Sequence, residues 1–128
     1  MTRVAAHLAQ AAGVASMGYP LMTPARRRLS LQRWSAKLVR HLAAQLTVHG
    51  EPPRHGVAPF MLVANHVSWL DIFAINAAVP TRFVAKSEVR GWPLVGWLCV
   101  KADTLFIERE RRRDLARLDE LIVNALRD

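Results

Sequence analysis

The 128-residue sequence contains a single cysteine, Cys99, and this scarcity excludes two kinds of structure. No disulfide can form within the chain, and no metal site can be built from several cysteines. A lone cysteine fits a reducing compartment, because disulfides persist in oxidising ones. The sequence also lacks internal repeats and, apart from its alanine-rich start, any low-complexity tract.

Acidic residues are scarce as well, since 10 Asp and Glu face 18 Lys and Arg, for a formal net charge of +8. Most of the basic residues are arginine, whose guanidinium binds phosphate oxygens through paired hydrogen bonds. The excess favours an anionic partner, such as a phospholipid surface or a phosphorylated substrate. Genomic base composition is an alternative source of the arginine. We expect no nucleic-acid partner, because no recognisable nucleic-acid-binding motif accompanies the charge.

A long apolar run is also missing. Residues 4–24 are weakly apolar and rich in alanine, whereas a membrane-spanning helix needs about 20 strongly apolar residues. No clear cleavage site follows, which argues against a signal peptide. We therefore predict a helix that lies in, or dips into, one leaflet of a membrane.

A basic, amphipathic segment follows this weakly apolar start. The cluster Arg26, Arg27 and Arg28 would bind anionic headgroups and mark the cytoplasmic side of a membrane. Residues 29–46 then carry an apolar stripe at helical spacing, with basic side chains mostly off it. The stripe consists of Leu31, Trp34, Leu38, Leu42 and Leu46. Such a helix suits a membrane interface, although a surface helix packed on a core has the same pattern.

The rest of the chain alternates between strand-like and helical segments. Short apolar runs at residues 60–64, 82–86 and 104–109 are typical of strands in a parallel sheet, and residues 110–127 have helical spacing. This order predicts an α/β fold, in which an N-terminal helical membrane-associated element precedes a partial parallel or mixed sheet covered by helices.

A Gly- and Pro-rich loop at residues 50–59 is the best boundary in the chain. We therefore predict a membrane-associated region at residues 1–49 and an α/β domain at residues 50–128. The expected location is the cytoplasmic face of the inner (plasma) membrane, where the protein would be peripheral or shallowly inserted.

A histidine and an aspartate stand where the first strand-like run passes into a helix. His66 and Asp71 would lie on different faces of a continuous helix. They can meet if His66 sits at the turn and Asp71 in the first turns of the helix, a place where functional groups commonly gather. The carboxylate could then fix the imidazole, leaving its other nitrogen to take a proton from a substrate hydroxyl. In the structural alternative, both residues merely stabilise the helix start.

Ser68 lies between them, but it does not predict a serine hydrolase. The sequence has no G-x-S-x-G turn, and residues so close in the chain rarely form a catalytic triad.

Three strings together resemble the glycerolipid acyltransferase family, in particular its bacterial lysophosphatidate acyltransferases. VANHVSWLDIFAI resembles the family's His-x4-Asp motif, and FVAKSEVRGWPLVGWL resembles the segment with a Pro-x-x-Gly element that follows it. TLFIER resembles the Phe-Ile-x-Arg motif, at Phe106, Ile107 and Arg109. The three occur in family order over residues 60–110, which is far more specific than any one of them alone.

The resemblance implies a reaction and a role for each matching residue. His66 would be the general base that deprotonates the free glycerol hydroxyl of lysophosphatidate or a related lysolipid, and Asp71 would orient it. Arg109 would bind the acceptor's phosphate, with Lys86 adding positive charge, although Arg109 also begins a run that fits a solvated basic face. The acyl group would come from acyl-CoA or acyl-ACP (acyl carrier protein), with no metal and no prosthetic cofactor.

The family's third motif, with a Glu-Gly-Thr-Arg-like core, has no counterpart in this sequence. We therefore expect the chain to be a truncated, N-terminal portion of an acyltransferase, with doubtful activity by itself. The alternative function is a non-catalytic fragment that binds a membrane surface.

Overall fold

The computed structural model describes residues 2–108 and 112–127. The chain divides into two compact units, each built from two stretches of sequence. The first unit is Met1–Pro53 with Ala64–Thr81, and the second is Arg54–Val63 with Arg82–Asp128. The His-x4-Asp segment therefore belongs to the same unit as the N-terminal helices. A membrane-associated region at residues 1–49 and a separate domain at residues 50–128 remain predictions.

The first unit begins with helix α1, Thr2–Gly13, whose alanines favour helix formation. The helix widens into a π-helical turn, Val14–Gly18, and then tightens into a 3-10 turn, Tyr19–Leu21. Proline in that last turn has no backbone N–H to continue an α-helical ladder. In the described part of the chain, no helix has both the length and the apolarity that crossing a membrane requires.

Helix α2, Pro24–His41, has well-defined signals at its start. The Thr23 side chain accepts a hydrogen bond from the Arg26 backbone N–H at 3.4 Å, and Pro24 occupies the first helical position. A threonine cap followed by proline is a favourable helix start, because proline lacks one of the N–H groups that a helix leaves unpaired there.

Helix α2 ends earlier than the apolar stripe predicts. The Ala43 N–H donates to the Arg40 carbonyl at 3.0 Å, and the Ala44 N–H donates to the Val39 carbonyl at 3.2 Å. Ala43 has a φ of 55°, so the two bonds form a Schellman end around a left-handed residue. The prediction of a helix through residue 46 is therefore wrong, and Leu46 lies outside α2 and is exposed.

Helix α3, Leu70–Ala78, packs against α2. The Gln32 side-chain amide on α2 donates to the Ala77 and Ala78 carbonyls at 3.2 and 3.1 Å. These are among the last carbonyls of α3, which its own backbone leaves unpaired. Nearer the middle of α3, the Phe73 ring meets the Trp34 ring edge-on, with centroids 5.6 Å apart. Helix α2 therefore contacts both the middle and the carboxyl end of α3.

Helices α1 and α2 are joined by a reciprocal pair of hydrogen bonds. The His7 Nε2 lies 2.9 Å from the Trp34 carbonyl, and the Trp34 Nε1–H donates to the His7 carbonyl at 3.1 Å. The two rings stack with centroids 4.7 Å apart. The buried side chains around this pair and along α2 and α3 include Ala15, Ser35, Leu38, Val39, Asn76 and Val79.

The second unit contains a parallel pair of strands, β1 at Val84–Lys86 and β2 at Leu105–Ile107. Val84 pairs with Leu105 and Lys86 with Ile107. A 3-10 turn, Ser87–Gly91, and helix α4, Val95–Lys101, lie between the strands in sequence. Because a parallel pair needs such a crossover, this arrangement confirms the α/β prediction at the level of helices and a small parallel sheet. Helix α5, Arg112–Arg127, follows β2.

The prediction of a strand at residues 60–64 is wrong. These residues adopt no regular structure, and the Met61 and Val63 side chains are exposed. A strand exists only where an adjacent strand completes its backbone hydrogen bonds. The sheet found in the described residues contains β1 and β2 alone, so the apolar run has no strand partner there.

Candidate functional site

The segment that connects residues 60–64 to α3 makes a tight turn at Ser68. The Asp71 N–H donates to the Ser68 carbonyl at 3.0 Å, which closes the first turn. The Ser68 hydroxyl oxygen accepts from the Leu70 N–H at 3.2 Å. A serine oxygen that accepts from a backbone N–H two residues later is acting as a helix N-cap. The chain therefore turns into helix α3 at Ser68.

The carboxylate of Asp71 folds back over this turn. Its Oδ2 accepts from the Val67 and Ser68 backbone N–H groups, both at 2.8 Å. The bond from the Ser68 N–H to the Asp71 carboxylate is one half of a capping box, whose spacing these two residues have. The other half is absent, because the Asp71 N–H donates to the Ser68 backbone carbonyl and not to its hydroxyl. The position of the carboxylate is therefore set by backbone groups as well as by its own side-chain torsions.

His66 contacts the same carboxylate oxygen. Its Nδ1 lies 3.3 Å from Asp71 Oδ2. The two side chains are therefore in contact, as the sequence predicts if a turn lies between them. The His66 side chain is 62% exposed and that of Asp71 is 32% exposed. The imidazole is therefore open to solvent while one of its nitrogens faces the carboxylate.

The local hydrogen bonds hold the pKa of Asp71 below its usual value. The largest cause is the Ser68 backbone N–H and the next is the Val67 backbone N–H, with the contact to His66 adding to both. Each of these donors stabilises the charged form, and partial burial opposes them only in part. Asp71 is consequently a carboxylate throughout the physiological pH range.

This arrangement defines a class of site, an imidazole oriented by a fixed anion. A carboxylate beside Nδ1 favours the tautomer with the proton on Nδ1, which leaves Nε2 as a proton acceptor. The same anion stabilises the imidazolium that forms when Nε2 takes a proton. Chemically, the pair is suited to remove a proton from a hydroxyl group presented at the exposed side of the ring.

The structure does not test the roles of the other two predicted site residues. Lys86 is an exposed residue that ends β1 in the second unit. Arg109 lies outside the described residues. Of its motif, Phe106 is described, and the Arg90 guanidinium lies over its ring at 5.9 Å from the centroid. The structure therefore brings together His66 and Asp71, and the phosphate-binding role of the two cations remains a prediction.

Ser68 is the residue whose contribution the sequence predictions missed. The signal for it is present, because S-W-L-D followed by an apolar run has the spacing of a capping box. As a nucleophile, Ser68 lacks the G-x-S-x-G turn that is typical of serine hydrolases. Its described contacts are those of a helix cap.

Other chemically reactive groups are sparse in the described part of the chain. No group of three or more His, Cys, Asp or Glu side chains there is arranged to hold a metal ion. Cys99, on α4, is partly buried, and burial raises the pKa of its thiol. A thiol kept protonated is a poor nucleophile, so Cys99 offers no strong alternative to the His66–Asp71 pair.

Comparison with known proteins identifies the family. The sequence pattern of the Acyltransferase family matches residues 45–128. A lyso-ornithine lipid O-acyltransferase from Pseudomonas aeruginosa is 50% identical over 88 residues, which is 69% of this chain and 33% of that protein. A 1-acyl-sn-glycerol-3-phosphate acyltransferase from Neisseria gonorrhoeae is 40% identical over 77 residues, 60% of this chain and 30% of the relative. The chain belongs to the Acyltransferase family.

The two kinds of named relative differ in the lipid that they acylate. Another lyso-ornithine lipid O-acyltransferase, from Rhodobacter capsulatus, is 41% identical over 87 residues, 68% of this chain and 30% of the relative. The chain thus spans about a third of the length of the curated relatives it matches. No solved structure matches this chain.

Proposed function

We propose that the whole protein transfers an acyl group from acyl-CoA or acyl-ACP to the free hydroxyl of lysophosphatidate or a related lysolipid. The observation that carries this proposal is the 3.3 Å contact between His66 Nδ1 and Asp71 Oδ2, with the ring open on its other side. Membership of the Acyltransferase family and the names of its relatives support the reaction class.

In the proposed reaction, His66 Nε2 takes the hydroxyl proton while the hydroxyl oxygen attacks the thioester carbonyl. The carbon–sulfur bond then breaks, the ester forms, and the imidazolium returns its proton to the departing thiolate. Asp71 stays ionised and stabilises the imidazolium, as its lowered pKa allows. A positioned base of this kind is worth about 10²–10⁴-fold in rate. The reaction needs no metal and no covalent acyl-enzyme.

The test is acyl transfer by the whole protein in detergent micelles, with lysophosphatidate and lyso-ornithine lipid as alternative acceptors. His66→Ala should lower kcat at least about 100-fold. His49→Ala is the matched control, because His49 lies in the exposed loop before the Gly- and Pro-rich segment. Transfer that survives His66→Ala at the control's rate would show that the proposed base is wrong.

A second set of variants tests Asp71 and the two cations. Asp71→Asn should reduce kcat, whereas Asp103→Asn, at an exposed turn after α4, should leave it unchanged. If Arg109 and Lys86 bind the acceptor's phosphate, Arg109→Gln and Lys86→Gln should raise KM for lysophosphatidate. An equal KM for wild-type protein and both glutamine variants would remove these two residues from the proposed site.

We also propose that the first unit lies on an anionic membrane surface, on the cytoplasmic face of the inner membrane. The supporting observation is the turn between α1 and α2, where Met17 is 75% and Leu21 is 87% exposed. The exposed Arg26 follows shortly after them, and Arg27 ties the turn together by donating to the Tyr19 carbonyl at 2.9 Å. Exposed apolar side chains beside basic ones suit the boundary between headgroups and acyl chains.

Binding to vesicles tests this second proposal. Arg26→Gln should weaken binding to vesicles rich in anionic phospholipid about fivefold, since a basic residue at such a surface contributes about 1 kcal/mol. Arg54→Gln removes the same charge from an exposed loop and should have a smaller effect. Equal effects would mean that binding follows net charge, and absence of binding to any vesicle would refute membrane association of this unit.

A further inference from the structure

Two hydrogen-bonding systems meet at one atom of the candidate site. Asp71 Oδ2 accepts from the Val67 and Ser68 backbone N–H groups, and the same oxygen faces His66 Nδ1 at 3.3 Å. The first system defines the start of α3, and the second orients the imidazole. The alignment of His66 therefore depends on where the chain turns into the helix.

Ser68 is the side chain that sets that turning point. Its hydroxyl oxygen accepts from the Leu70 N–H, while its carbonyl accepts from the Asp71 N–H. Without the hydroxyl, the Leu70 N–H loses its described side-chain acceptor, and the first turn of α3 loses one stabilising hydrogen bond. The two N–H groups that fix Asp71 precede this turn directly, so they would move with it.

We propose that Ser68 is a positioning residue for acyl transfer, because its cap holds Asp71 Oδ2 at the place where that oxygen can orient His66. This inference rests on the function proposed above, but it assigns Ser68 a role that neither family membership nor the His-x4-Asp spacing supplies. Ser68 would touch no reacting atom and would act through Asp71.

The packing of α3 separates this role from a general effect on folding. Gln32 binds the last carbonyls of α3, and Trp34 contacts Phe73 on the same helix. These contacts from α2 hold the body of α3 independently of the cap. Loss of the Ser68 hydroxyl should therefore loosen the first turn and leave the rest of the unit folded.

The decisive comparison uses Ser68→Ala, Ser68→Thr and Ser16→Ala. Threonine retains a capping oxygen, so Ser68→Thr should restore what alanine removes. Ser16 is the matched control, because it is an exposed serine whose hydroxyl donates to the Ala12 carbonyl within a helical segment. For Ser68→Ala we expect kcat to fall about five- to tenfold with little change in KM, which corresponds to loss of a cap worth about 1 kcal/mol.

A measurement that does not depend on activity accompanies the kinetics. Titration of the Asp71 carboxyl by ¹³C NMR, in protein labelled at aspartate and assigned with Asp71→Asn, reports directly on the cap. Alanine keeps the backbone N–H at position 68, which is the largest cause of the lowered pKa of Asp71. If loss of the hydroxyl loosens the turn, this N–H and that of Val67 move away from the carboxylate, and the pKa of Asp71 should rise toward its usual value. Ser68→Thr and Ser16→Ala should titrate like wild type, and circular dichroism should show that all three variants fold.

The outcomes separate this inference from the proposed function. A loss of kcat and a raised Asp71 pKa in Ser68→Ala, both restored by threonine, support the positioning role. An unchanged kcat, or a loss of kcat with an unchanged Asp71 titration, overturns it. Transfer that survives His66→Ala refutes the proposed function instead, and the carboxyl titration still reports whether Ser68 positions Asp71.

Discussion

The first unit buries side chains of its helices, whereas the side chains whose burial is described in the second unit are exposed or half-buried. Leu38 is 2% exposed in the first unit, and Ser35 and Val39 are buried beside it. Burial in the second unit is described for residues 54–63, 82–108 and 119–126, and among these Gly96 alone is buried and Trp92 is 58% exposed. Because buried apolar area is the main source of stability, the half that carries the His66–Asp71 pair is expected to be the more robust half.

In the second unit, helix α4 approaches the preceding 3-10 turn closely at Gly96. A Cβ at Gly96 would overlap the Arg90 carbonyl and would lie 2.7 Å from the Val89 carbonyl oxygen, so only glycine lets α4 approach the preceding 3-10 turn this closely. This contact gives a physical reason for the glycine of the Pro-x-x-Gly element. One motif element therefore serves backbone packing, while another carries the candidate chemistry.

The largest effect on stability is expected at Leu38, which is buried in the first unit. Leu38→Ala should lower the free energy of unfolding by about 3 kcal/mol, because it removes buried methyl groups and leaves a cavity. Leu21→Ala makes the same chemical change at a side chain that is 87% exposed and should be nearly neutral. Urea denaturation measures both, and similar values for the two variants would show that the first unit has no effective core.

A smaller effect is expected in the second unit at Gly96. Gly96→Ala should destabilise by about 1–2 kcal/mol, because the overlap with the Arg90 carbonyl outweighs the better helix propensity of alanine. Gly91 provides the control, since a Cβ there would meet no atom within 4 Å. Thermal unfolding followed by circular dichroism compares the two, and a stabilised Gly96→Ala would mean that α4 does not pack so closely.

The contact between α2 and α3 offers a finer test. Gln32→Ala should cost about 1 kcal/mol, since two carbonyls at the end of α3 lose a common donor. Gln45→Ala, at an exposed position after α2, should change the free energy of unfolding very little. Hydrogen exchange at the α3 amides would locate the effect. Unchanged protection there would contradict a stabilising role for the Gln32 hydrogen bonds.

The smallest expected effect is on the pH dependence of stability. A carboxyl whose pKa is lowered by folding stabilises the folded state above its unfolded pKa, near 3.8, and loses that contribution as the pH falls through the lowered value. Wild-type protein should therefore lose stability below about pH 4, and the loss over the same pH range should be smaller in Asp71→Asn. Parallel acid-unfolding curves for the two proteins would contradict the lowered pKa.

Local signals predicted much of what the structure contains. The strands around Val84 and Leu105 and the helix that begins near Asp71 all follow from short patterns of apolar residues. The contact between His66 and Asp71 could be expected as well, because it needs only a turn between two residues that are close in sequence.

Three features could not be predicted, each for a physical reason. The run at residues 60–64 has strand composition, but pairing depends on a distant partner that composition does not reveal. Helix α2 ends at His41 because Ala43 adopts a left-handed conformation that alanine rarely takes, so no residue type marks the stop. The partnership of Gln32 with α3 depends on tertiary packing across more than forty residues of sequence.

The discontinuous make-up of the first unit has a consequence for its synthesis. Helix α2 is complete at His41, but α3, the helix that Gln32 and Trp34 contact, is complete only at Ala78. At roughly 5–20 residues per second, the ribosome takes roughly 2–7 seconds to add the intervening chain. For that interval, the face of α2 that α3 later covers is open to whatever surface the nascent chain meets first.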